Sequence, residues 1–166
     1  MIFVSLFLRL AVCLFIAMQP MHLFAQGAQV AFGNTQQNSS LPVEVTADNL
    51  NVNQDDGTAI FTGNVLIGQG EMRLSAPRVL VVYNQDQSRI KRLEATGGVT
   101  LVSGEDAAEA KQADYNMDNG VIEMEGDILL VQGPQALTGD RMYVDTRAGT
   151  ARVSGRVKTI LQPSEE

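Results

Sequence analysis

A chain of 166 residues with 19 acidic and 12 basic side chains, formally −7, can bury one substantial core, and the lack of a basic stripe with interleaved aromatics argues against nucleic acid as a partner. Its only histidine and only cysteine, His22 and Cys13, fall within the first 25 residues, so the other 141 carry neither imidazole nor thiol and a net charge of −8. That excludes most metal sites, most nucleophile–base pairs and any disulfide; no cofactor and no metal are expected, and stability must come from burial and strand pairing.

Residues 1–25, MIFVSLFLRLAVCLFIAMQPMHLFA, are apolar with one cation, Arg9, and offer a cleavage point after Ala25, the pattern of a secretory signal peptide. The rival reading is a membrane anchor, but Arg9 divides the apolar run and Gln19, Pro20 and His22 interrupt its end, leaving no clean span of about 20 apolar residues. Cys13 lies inside that run and reads as a small apolar residue. Residues 26–42, rich in Gln, Asn, Ser and Gly without sustained periodicity, are expected to be a flexible lead-in, and 162–166 a short tail.

From Val43 the chain changes to short alternating runs of Val, Ile and Leu punctuated by Gly and Asp/Asn-Gly, which is the pattern of an all-β domain over 43–161. The runs LNVN, VLVV, YNMD and MYVD each follow a small residue, Ala47, Ala76, Ala113 or Gly139. Each leads to a glycine tag, GNV at Gly63, GGV at Gly97, GDI at Gly126 and GRV at Gly155, spaced by 34, 29 and 29 residues. These are four related units. The closest internal match is GTAIFTGNV (57–65) with GTARVSGRV (149–157). Period 2 puts Ala59, Phe61, Val65 and Ile67 on one face around Gly63, and Ala151, Val153, Val157 and Thr159 on one face around Gly155, so each glycine is expected to mark a bend or bulge.

Asp55-Asp56-Gly57 and Asp118-Asn119-Gly120 predict tight hairpins, because positive φ costs glycine nothing, and hairpins make neighbouring strands antiparallel. The expected fold is therefore an open antiparallel β-jelly roll of about sixteen short strands, two curved sheets around an apolar space, with a parallel β-helix as the alternative. Runs of about five residues are too short for an outer-membrane barrel, which needs about 9 to 11.

FTGNVLIGQG (61–70) followed by LSAPRVLVV (74–82) resembles the OstA-type domain of the LptA family of periplasmic lipopolysaccharide-transport proteins, over about residues 42–161. Ala76-Pro77 stands where the family more usually has Ala-Asp, and the segment after Leu161 is short. The resemblance implies a periplasmic location, no enzymatic activity, and an open jelly roll whose interior holds the lipid A acyl chains of lipopolysaccharide. It also implies an inner-membrane ATPase complex upstream, with LptC-type inner-membrane and LptD-type outer-membrane partners.

Alternation supplies the lining such a role needs: Val43, Val45, Leu50, Val52, Phe61, Val79, Val81, Val99, Leu101, Met117, Ile128 and Leu130 are the candidate lipid-binding residues. Tyr115 joins them either as a headgroup contact at the groove edge or as a satisfied core tyrosine. Arg89, Lys91 and Arg92 form a basic cluster that either meets lipid phosphates or is a solvated face. An open roll leaves unpaired strands, placed near 43–46 and 157–161; joining one edge to the other edge of a second copy gives a head-to-tail homo-oligomer. Two other readings stay open, a membrane-anchored relative of the LptC type and a secreted β-helix adhesin or polysaccharide-acting enzyme. Asp55-Asp56 and Glu105-Asp106 are the carboxylate pairs such an enzyme would use, but no tryptophan is present for sugar stacking.

Overall fold

The alternation from Val43 onward becomes strand throughout, and no helix occurs among the described residues, which in this computed structural model are 28–33 and 41–160. The expected signal peptide, the tail and most of the lead-in lie outside them. The strands are β1 (Ala28–Ala31), β2 (Glu44–Thr46), β3 (Asn49–Asn53), β4 (Thr58–Gln69), β5 (Met72–Tyr83), β6 (Ile90–Ser103), β7 (Asp106–Asn116), β8 (Val121–Gln132), β9 (Gln135–Asp145), β10 (Thr150–Ser154) and β11 (Lys158–Ile160). They form one sheet in the order β1-β10-β9-β8-β7-β6-β5-β4-β2, with β3 also beside β4 and β11 also beside β9. All these pairings are antiparallel, which rules out the parallel β-helix. Gly57 and Gly120 take the positive φ, 60° and 74°, that the hairpin reading required.

The four glycine tags are where the ladder slips. Register shifts interrupt β4–β5 between Thr62 and Val65, β6–β7 between Thr96 and Val99, and β8–β9 between Glu125 and Ile128, with matching shifts in β5–β6 and β7–β8. The extra residue always falls in the even-numbered strand, where two consecutive residues have positive φ: Gly63-Asn64 (77°, 44°), Gly97-Gly98 (95°, 98°) and Gly126-Asp127 (83°, 51°). Gly155-Arg156 (73°, 42°) makes the same turn between β10 and β11. Asn and Asp tolerate this region, whereas Arg does not favour it. Arg156 is held there by Asp140, whose Oδ1 accepts from Nη2 at 2.5 Å. The guanidinium bond holds the Asp140 carboxyl below the usual carboxylate range.

Each bend divides the sheet into two halves. Half-sheet I contains β3, the bend-to-Asn53-side parts of β4 to β9 (58–62, 78–83, 90–96, 112–116, 121–125, 141–145), β10 and β1. Half-sheet II contains β2, the other parts (65–69, 72–75, 99–103, 106–109, 128–132, 135–139) and β11. Counted by halves the eleven strands are seventeen segments, which is why the sequence reads as about sixteen short strands: runs that end at a glycine continue beyond it as one bent strand.

The lead-in expectation needs correction. Ala28–Ala31 is a strand, paired with β10 from Ala28↔Val153 to Ala31↔Thr150, and Phe32 beyond it is 4% exposed. Its alternation is only five residues long, and its pairing partner lies at the far end of the chain, so local periodicity gave no sign of it.

Candidate functional site: an apolar interior between two half-sheets

Because directly opposed residues in an antiparallel pair share a face, the inward set passes from strand to strand as a continuous layer. Of the residues expected to line it, Val79, Val81, Val99, Leu101, Tyr115, Ile128 and Leu130 are all buried there. Val43, Val45, Phe61 and Met117 are half-buried and packed against the same cluster. Leu50 and Val52 are on the expected side but are not buried. They face inward, opposite Phe61 and Ala59, yet remain 56% and 57% exposed, because β3 is the outermost strand of its half-sheet. Val157, expected inward, is likewise exposed at the other end of the sheet, and so is Thr159.

Alternation in VIEMEGDILL and MYVD could also have identified Ile122, Met124, Met142 and Val144, all buried. Alanines fill the positions nearest the bends: Ala76, Ala95, Ala110 and Ala113 are buried, and their size lets the two halves approach.

Two polar clasps cross from one half to the other. The Tyr115 hydroxyl donates to Gln69 Oε1 at 2.8 Å, and Gln69 Nε2 donates to the Leu41 carbonyl at 3.1 Å. Tyr115 is thus a satisfied core tyrosine rather than a groove-edge contact, and burial pushes its phenol pKa up. At the other end of the sheet the Gly33 amide donates to Asp106 Oδ2 at 2.7 Å, and Gln132 Nε2 donates to Asp106 Oδ2 (3.0 Å) and the Ala31 carbonyl (2.7 Å). Tyr115→Phe keeps the ring and removes only the first bond. It should lower stability by about 1–2 kcal/mol and the melting temperature by roughly 3–6 °C, read by thermal denaturation. An unchanged melting temperature would mean the bond contributes nothing.

Arg89, Lys91 and Arg92 are all exposed, and the two arginines are already paired. Arg89 meets Asp118 at 3.2 Å, and Arg92 meets Asp114 and, at 3.3 Å, Glu94. One carboxylate of each pair has a structural partner: Asp56 Oδ2 accepts from Asn53 Nδ2 at 2.5 Å in the turn, and Asp106 belongs to the second clasp. Among the described residues no group of three or more His, Cys, Asp or Glu side chains is placed to hold a metal ion. What the arrangement offers is a continuous, closely packed apolar layer between two half-sheets that meet at the bends.

Comparison with known proteins agrees with this geometry. Residues 44–150 match the family described as LptA/(LptD N-terminal domain) LPS transport protein. The lipopolysaccharide export system protein LptA of Haemophilus influenzae is 22% identical over 135 residues, 75% of this chain and 78% of that protein. An uncharacterized protein of Rhizobium meliloti is 28% identical over 150 residues, 84% of this chain and 81% of its own length. The LPS-assembly protein LptD of Sodalis glossinidius is 34% identical over 82 residues, 48% of this chain but 10% of that protein. The crystal structure of LptH, the LptA-homologous periplasmic component of the lipopolysaccharide transport device of Pseudomonas aeruginosa, superposes with a TM-score of 0.68 at 15% identity, covering 76% of this chain and 99% of LptH. At that identity the likeness is one of fold.

Proposed function

Since the chain belongs to the family of LptA and LptD N-terminal-domain lipopolysaccharide-transport proteins, we propose that it is a periplasmic carrier that shields lipid A acyl chains between its half-sheets and bridges inner-membrane and outer-membrane transport complexes. The observation that carries this reading is the continuous inward apolar layer inside a sheet that never closes. An acyl chain of about twelve methylenes costs on the order of 10 kcal/mol to expose to water, at about 0.8 kcal/mol per CH₂, so it crosses an aqueous compartment only along a dry lining. Here that lining runs from β4 to β10.

Leu101, Met124, Leu130 and Met142 have no exposure and belong to one buried cluster, so loading parts the half-sheets along the inward layer. The methionines adapt readily to irregular chains. Residues 1–25 direct export. The unpaired ends of the sheet join copies head to tail and meet LptC-type and LptD-type partners by strand addition. Direction comes from an upstream ATPase, because a ligand bound equally at successive identical sites gains nothing by moving.

Photo-reactive residues test the lining. Placed at Val45, Leu101, Tyr115 and Met117 in cells, they should capture lipopolysaccharide, whereas Glu44 and Asn116, which point to the other face, should capture far less. Equal capture on both faces would sink the assignment.

A further inference from the structure

The two ends of the sheet are mismatched in strand count. Both half-sheets share β4 to β9; β2 and β11 complete half-sheet II and β3 and β10 complete half-sheet I, giving each eight strands. β1 is a ninth strand in half-sheet I alone. Strand direction tells the same story. With every pairing antiparallel, β10 and β11 run one way and β1, β2 and β3 the other. A second copy whose β2 pairs with β11 continues the antiparallel order in half-sheet II. In half-sheet I its β3 continues that order only beside β10. Next to β1 it would be parallel and one strand out of step with the other half.

We propose that β1 with Phe32 is an internal substitute for β3 of a second copy, held on the β10 edge in the free protein and displaced when the next copy docks. The inference rests on the head-to-tail reading above and adds the switch that controls it. The side chains support the exchange. Ala28 and Val30 of β1 lie opposite the buried Val153 and Ala151, while Leu50 and Val52 of β3 carry the same alternation, are a bulkier pair because leucine stands in place of alanine, and are more than half exposed. Replacing the first pair by the second covers apolar surface that is bare in the free protein. On the outer face of half-sheet II, Ile160 of β11 and Leu66 beside β2 are also exposed, at 50% and 42%, and the same joint brings these two ends together.

Displacement has a second consequence. The Phe32 amide donates to the Gly149 carbonyl at 3.0 Å, and Gly33 and Ala31 are tied to Asp106 and Gln132 of half-sheet II. Removing β1 withdraws the buried Phe32 and undoes the second clasp, opening the interior at the joint where one copy's lining must meet the next.

A reversible lock tests this. Gln29 and Arg152 are register partners on the exposed face of β1 and β10, with Gln29 Oε1 accepting from Arg152 Nη2 at 3.4 Å. In the exported chain, Gln29→Cys with Arg152→Cys should form a disulfide that pins β1. By sedimentation velocity over a concentration series, the oxidised variant should need roughly tenfold or more higher concentration than the parent to form end-to-end oligomers, and reduction should restore parental behaviour. Phe32→Ser, which loosens β1, should assemble at lower concentration than the parent. If the oxidised variant assembles as the parent does, or Phe32→Ser assembles no more readily, displacement of β1 is wrong while head-to-tail joining stands. If parent, reduced variant and Phe32→Ser are all monomeric at every concentration, both fail.

Discussion

Replacing Gly63 with valine should lower the stability of this protein by about 3 kcal/mol, combining roughly 1–2 kcal/mol for a side chain in the left-handed region with a similar cost for overpacking. The φ of Gly63 is 77°, and an added Cβ would run into the Asp48 carboxylate and lie 3.0 Å from Asp48 Cβ. Asp48 has little freedom to retreat. Its amide donates to the Gly63 carbonyl at 2.9 Å and its carboxylate accepts from Asn64 Nδ2 at 2.8 Å. For a domain of this size the melting temperature should fall by about 10 °C. Gly63→Asn should be milder, because asparagine tolerates positive φ. Gly98→Asn should be milder still, because nothing lies within 4 Å of the position its Cβ would take. A Gly63→Val protein that melts with the parent would show that the bend does not depend on glycine.

A carboxylate at Leu130 should be more damaging, costing upwards of about 4 kcal/mol at neutral pH, because no buried partner is there to accept it. Leu130 has zero exposure and sits opposite Leu137 and Ala108 in the inward layer. The pH dependence has a definite sign. Burial raises the folded pKa of such an aspartate above its unfolded value of about 3.9, so the penalty is smallest below that value, where both states are protonated. It grows as pH rises toward the raised folded pKa and is complete above it. Urea denaturation of Leu130→Asp and parent, at pH 4 and pH 7.5, should therefore show a smaller stability difference in acid. Val131→Asp, one residue along and 39% exposed, should be nearly neutral at both. Equal costs at positions 130 and 131 would contradict a one-sided interior.

The expectations that held share a local cause. Asp-Gly and Asn-Gly turns specify hairpins within a few residues, and successive hairpins specify an antiparallel sheet. Alternation specifies which side chains share a face, so Val79, Val81, Leu101 and Leu130 could be assigned inward without knowing what they would touch. What the local pattern left open has a different cause. Leu50 and Val52 have the same alternation as Val79 and Val81, but periodicity carries no information about whether another strand lies beyond, and β3 is an edge. The hydroxyl of Tyr115 could be read as an edge group until its partner, Gln69, was found 46 residues away on the other half-sheet.

The amino-acid order by itself determined the all-β class, the inward faces and the four bends, because a period of two and a tolerance for positive φ belong to a few adjacent residues. Tertiary structure alone decided that six strands run through their bends, that Leu50 and Val52 stay exposed, and that Ala28–Ala31 is a strand at all. The physical reason is distance along the chain. β1 exists because β10 offers it an edge, and the contact that fastens its end, Gln132 to Ala31, joins residues 101 positions apart, where no local pattern can reach.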